Sequence, residues 1–101
     1  MNRKTFIPYV MRQQADRLCR IMKGLCGRDP CEETRERPVV MARVMVSHVL
    51  MVYGYSEHQI GTVLGWDHST INHYRKKIDD IKRLPGYEAE RELLDKFMKK
   101  I

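Results

Sequence analysis

Apolar side chains along the chain recur every three or four residues, the spacing of one face of an α-helix. From Pro8 to Leu25 the positions Val10, Met11, Ala15, Leu18, Cys19, Met22 and Leu25 form one stripe, with Arg12, Arg17, Arg20 and Lys23 on the wet side. Pro8 suits a first helical turn, where its missing N–H costs nothing, and residues 1–4 ahead of it are expected to fray. Gly27-Arg-Asp-Pro30 breaks the pattern, and residues 31–34 have room for a short helical turn. Val39 to Tyr53 is apolar nearly all round, which predicts a central helix sandwiched by the others. Pro38 opens that helix and Gly54 suits a left-handed C-cap. His48 reads as a core or boundary histidine rather than a ligand, and Met41, Met45 and Met51 as gap-filling core residues.

A shorter helix is expected over 57–64, with Ile60, Val63 and Leu64 on one side, and Ser56 with Gln59 three residues later forms a capping box. Gly65-Trp66 then turns the chain, and Asp67 is an N-cap for the next helix. In that helix Ile71, Tyr74, Ile78 and Ile81 follow 3-4-3 spacing, until Leu84-Pro-Gly86 stops it. Two helices joined by a short turn containing glycine are a helix-turn-helix. The last stripe, Ala89, Leu93, Leu94, Phe97, Met98 and Ile101, belongs to a helix over 87–100 that folds back on the core or pairs with another chain. The expected fold is therefore all-α, a small bundle of five or six helices with a helix-turn-helix. Its parts are an N-terminal amphipathic helix over 1–30, a helix-turn-helix core over 31–84 and a C-terminal helix over 85–101.

Charge adds a partner to this picture. The 101 residues carry a formal charge of +6 with a pI near 9.4, which points to a polyanion. The excess lies upstream: residues 1–38 hold nine cations and five anions, residues 39–83 six and four, and the last helix is balanced. Cys19, Cys26 and Cys31 are odd in number and lack a C-x-x-C pair, so free thiols in a reducing compartment are expected and no structural zinc. Residues 39–53, interrupted by Arg43, Ser47 and His48, fall short of the roughly 20 apolar residues a membrane span needs. A cytoplasmic, nucleoid-associated protein without membrane contact, metal or cofactor is the expectation.

The chemistry concentrates on the helix after Asp67. Opposite its apolar stripe lie Ser69, Asn72, His73, Lys76 and Asp80, and Arg75, Lys76 and Lys77 follow its polar first turns. Hydrogen-bonding side chains first and cations behind suit a helix whose N-terminus points into the DNA major groove. His68, Ser69, Thr70 and Asn72 would read bases, Asn72 through an adenine edge. Asp67 can accept from cytosine, in competition with its capping duty. Arg75, Lys76, Lys77 and the helix starts would meet phosphates and set the register. The amides at Ser56 to His58 either hold a phosphate or are satisfied by the cap. Arg35 and Arg37, on the polar connector before Pro38, read equally as solvated charge or as a minor-groove hook. Trp66 either plugs the corner between the helices or contacts DNA.

These residues also carry a resemblance. Asp67-His-Ser-Thr-Ile-Asn-His73, followed by Lys76-Lys-Ile78, resembles the signature of the C-terminal DNA-binding domain of the bacterial replication initiator DnaA, G-x-x-F-G-G-R-D-H-[ST]-T-V-x-H-A-x-x-K-I. Thr34-Arg-Glu-Arg-Pro-Val-Val-Met-Ala-Arg43 is similar to that domain's S-R-K-R-E-I-V-L-A-R, and the likeness covers about residues 34–83. It implies an all-helical bundle in which Asp67, His68, Ser69 and Thr70 enter the major groove. It also implies that His73 and Lys77 lie at the DNA backbone, that Arg35 enters the minor groove with Arg37 in the same basic loop, and that the helix start at Ser56 meets a phosphate. The sequence departs from the family where Gly65-Trp66 replaces Gly-Gly-Arg and His58 replaces proline. No G-x-x-x-x-G-K-[ST] loop is present, so the expectation is either an excised domain or, favoured by the Met1 start and the extra helices at both ends, a stand-alone DnaA-like protein without the ATP-driven motor.

The first functional reading is thus sequence-specific binding of double-stranded DNA that regulates replication initiation or transcription. The second is a protein-interaction module in which residues 87–101 bind a replication protein or a second copy and the helix-turn-helix serves as scaffold. An enzyme is not expected, because adjacency of Asp67, His68 and Ser69 on one helix does not aim a base at a nucleophile.

Overall fold

The computed structural model describes residues 5–101, so the expectation for residues 1–4 lies outside the described residues. Five helices follow one another among the described residues: α1 (Tyr9–Cys26), α2 (Arg37–Val52), α3 (Glu57–Leu64), α4 (His68–Arg83) and α5 (Glu88–Lys100). There is no strand among the described residues. The fold is a small all-α bundle, as the periodicity predicts.

The helix ends follow local chemistry. Pro8 precedes α1 rather than opening its first turn, and its carbonyl accepts from Met11 N at 3.0 Å. Gly27 ends α1 with a φ of 77° and donates its N–H to the Lys23 carbonyl, an arrangement that glycine adopts without steric cost. α2 starts two residues before Val39, with Pro38 in its first turn. It ends in a paired closure, Gly54 N to Met51 O and Tyr55 N to Leu50 O, which satisfies carbonyls that a helix end leaves free.

Residues 31–34 form turns, not the short helix allowed for them. The reason is tertiary: the Glu32 and Thr34 carbonyls accept from the Arg43 guanidinium and are diverted from any helical ladder.

α2 is the central helix. Ten of its 16 residues are buried, and α1, α3 and α4 pack around it. α5 lies against α1 and α4 and sends Leu94 and Phe97 into the core. One core draws on all five helices, from Met11, Leu18 and Met22 through Met45 and Leu50 to Ile60, Ile71, Ile81 and Phe97. A fully buried side chain of this kind contributes about 1.5–3 kcal/mol, so each helix is held mainly by the others.

Candidate nucleic-acid interface

α3, a three-residue connection and α4 form the helix-turn-helix. Ser56 caps α3 with the expected box: its hydroxyl accepts from Gln59 N at 3.1 Å, and its own N–H donates to Gln59 Oε1 at 2.9 Å. At the far end Gly65, at φ 81°, and Trp66 both donate backbone N–H to the Gly61 carbonyl. The turn lies so close on α3 that a Cβ at Gly61 would collide with the Trp66 carbonyl oxygen. A residue without a side chain is therefore required there.

Asp67 caps α4. Its Oδ1 accepts from Ser69 N at 2.9 Å and from the Ser69 hydroxyl at 3.0 Å. These bonds to Ser69, chiefly the backbone one, hold the Asp67 carboxyl below the usual aspartate range, because they stabilise its charged form. The carboxylate and hydroxyl thus occupy each other, and the hydroxyl bonds Asp67 rather than the His68 ring. His68 is exposed and stacks on His58 of α3, with ring centroids 4.2 Å apart and planes 15° from parallel. The starts of α3 and α4 are therefore neighbours, and an imidazole pair stands at their junction.

The other predicted residues separate into three groups. Thr70 and Arg35 line one open groove of about 660 Å³, whose wall includes Arg43, Trp66 and Tyr74. The connector before α2 and the start of α4 thus face a common opening. Arg35 is exposed and has no ion-pair partner among the described residues; the same holds for Lys76. His73 is also exposed.

A second group is occupied inside the motif. The Asn72 amide donates to both Glu57 carboxylate oxygens, at 3.2 and 3.0 Å, and Arg75 Nε lies 3.3 Å from Glu57 Oε2. Glu57 thereby ties α3 to α4. Asn72, expected at an adenine edge, turns its donor inward, because a carboxylate on α3 is a stronger acceptor than water.

The third group faces α5. Arg37, expected beside Arg35 as a possible hook, donates to Glu90 Oε2 at 2.8 Å and to the Gly86 carbonyl at 3.3 Å. Its guanidinium lies 5.1 Å from the Tyr87 ring centre, and Lys77 Nζ lies 5.8 Å from the same centre. Lys77 also approaches the Tyr87 hydroxyl at 3.4 Å and Asp80 at 3.8 Å.

Beneath the groove lies a residue to which the sequence assigned no site role. Arg43 is 3% exposed. Its Nε donates to the Pro30 carbonyl at 3.0 Å, and its terminal nitrogens donate to the Tyr74 hydroxyl at 3.0 Å and to the Glu32 carbonyl at 2.6 Å. The guanidinium carbon stands 3.8 Å from the centre of the Trp66 ring. Trp66 therefore packs, partly buried, against a cation and the core while one side lines the groove. For Arg43, a charged side chain amid the mostly apolar positions 39–53 was the available signal, but its partners lie 9 to 31 residues away.

Among the described residues no cluster of histidine, cysteine and carboxylate side chains is placed to hold a metal ion, and no helix is long and apolar enough to cross a membrane. No family model, no curated protein and no solved structure matches the chain.

Proposed function

We propose that the protein binds double-stranded DNA sequence-specifically through α3 and α4 and regulates replication initiation or transcription. The supporting observation is the shared groove of Arg35 and Thr70 beside the exposed start of α4. It sets a free arginine next to the helix that would read bases. In this reading His68, Ser69 and Thr70 meet base edges and Arg35 enters the adjacent minor groove. His73 and Lys76 meet phosphates, with amides at the starts of α3 and α4 adding to them. Asp67 acts mainly as a cap that orients Ser69. Asn72 and Arg75 brace the two helices through Glu57, and Lys77 and Arg37 set the edge nearest α5. The resemblance to the DnaA DNA-binding domain supports an asymmetric site bound by one copy.

An exposed apolar face on residues 87–101 would support the interaction-module reading. That face turns Leu94 and Phe97 inward and leaves Met98 as its exposed large side chain, which favours the DNA reading.

Selection of duplexes from a randomised pool, followed by binding across a salt series, tests the proposal. One short motif should emerge. His68→Ala should reduce discrimination between that motif and random DNA by about 1–3 kcal/mol. Lys76→Ala should weaken both alike and lower the salt slope by about one. Failure to enrich any motif would sink the proposal.

A further inference from the structure

Cys31 also borders the groove that Arg35 and Thr70 share, and its sulfur lies 4.0 Å from that of Cys19. Cys19 belongs to α1, which Leu18 and Met22 anchor in the core. Cys31 is exposed on the connector to α2, where its N–H donates to Asp29 Oδ1 at 2.9 Å. Both cysteines line one open groove of about 330 Å³, so a small reagent reaches them from solvent. The third thiol, Cys26, is directed instead to the Arg28 carbonyl at 3.4 Å. A disulfide has an S–S bond of about 2.05 Å. Closure therefore needs a movement of about 2 Å, on the side of the connector rather than the packed helix.

We propose that Cys19 and Cys31 form a hydroperoxide-reactive dithiol that closes reversibly to an intramolecular disulfide. Exposure assigns the roles. Cys31 is exposed on the connector and meets a reagent first, whereas Cys19 is partly buried on α1. The Cys19 contact and the nearby Arg43 guanidinium both draw the Cys31 thiol down, against burial and Asp29. Cys31 is the attacking thiolate and Cys19 the resolving thiol.

In the first step Cys31 Sγ attacks one oxygen of the hydroperoxide. An S–O bond forms and the O–O bond breaks. The departing oxygen takes a proton and leaves as water or alcohol, and Cys31 becomes a sulfenic acid. In the second step Cys19 Sγ attacks the Cys31 sulfur. The S–S bond forms, the S–O bond breaks, and the Cys19 proton leaves with the hydroxide as water. Two thiols are oxidised and one peroxide is reduced.

The test uses the full reduced chain and stoichiometric hydrogen peroxide, followed by thiol alkylation, mass spectrometry and non-reducing peptide mapping. The expected product has lost two hydrogens, links the Cys19 and Cys31 peptides, leaves Cys26 alkylatable, and returns to the starting mass with dithiothreitol. In reduced protein at neutral pH, Cys31 should alkylate several-fold faster than Cys26, since the thiolate is the nucleophile. Cys19→Ser should stop the reaction at a Cys31 sulfenic acid trapped by dimedone. Cys31→Ser should leave Cys19 unoxidised. Three thiols reacting at equal rates without a linked peptide, or links made through Cys26 or between molecules, would overturn the proposal. These readouts need no DNA, so they stand or fall separately from the DNA-binding reading.

Discussion

Arg43 brings a permanent charge into the interior with no carboxylate to meet it among the described residues. A buried charge left alone is costly, so the surroundings answer it with carbonyl dipoles, the Tyr74 hydroxyl and the face of Trp66. The planar fork is what lets one side chain serve the connector, α4 and the turn together. Arg43→Lys keeps the charge but not the fork, and the abandoned carbonyls lose their donors. We expect a loss of about 2–4 kcal/mol in urea unfolding, with a shift in the emission of Trp66, the sole tryptophan. A change below about 0.5 kcal/mol, within the range of ordinary surface substitutions, would show that Arg43 does not hold the connector.

At the level of elements, two glycines inside helices separate helix propensity from packing. A Cβ at Gly24 of α1 meets nothing within 4 Å, whereas one at Gly61 of α3 meets the backbone of the turn. Alanine is favoured over glycine in a helix interior by about 1 kcal/mol. Gly24→Ala should therefore stabilise the protein by about 0.5–1 kcal/mol. Gly61→Ala should destabilise it by about 1–2 kcal/mol, because overpacking against backbone costs more than the propensity gain. Thermal unfolding of the two variants compares the signs directly. Equal shifts in the same direction would show that the α3–turn approach is looser than described. If the Gly61→Ala protein remains folded, its DNA discrimination should also fall, since this approach sets the start of α4.

The whole molecule is closed by α5. Arg37 at the start of α2 reaches Glu90 on α5 across 53 positions of sequence. The Arg37 hydrogen bond is the main reason that the Glu90 carboxyl sits below the usual glutamate range. A carboxyl whose folded pKa lies below its unfolded value, about 4.3, contributes stability above that value. The contribution is lost as pH falls through the folded value. The pair is partly open to solvent, with Arg37 56% exposed, so its worth is at most about 1 kcal/mol. Glu90→Gln should lower stability by up to that amount at neutral pH and converge with the unmodified protein in acid. Urea midpoints at neutral and acid pH check this. A difference that persists unchanged in acid would remove the ion pair as its cause.

Local signals in the sequence, the 3-4 spacing, the Ser56 and Asp67 caps, and the glycine and proline breaks, marked the five helices of the described residues and left open a sixth over 31–34 that did not form. They also marked α2 as central, since a helix apolar on every side has nowhere else to go. Tertiary structure decided which polar residues remain free. Asn72, Arg75, Arg37 and Lys77 are polar in the sequence just as His73, Lys76 and Arg35 are, but Glu57, Glu90 and Tyr87 occupy the first four. The turns over residues 31–34, the Arg43 cage and the Cys19–Cys31 approach likewise depend on distant partners. Periodicity reports which face of a helix is buried, whereas the partner of a polar side chain depends on which element packs beside it.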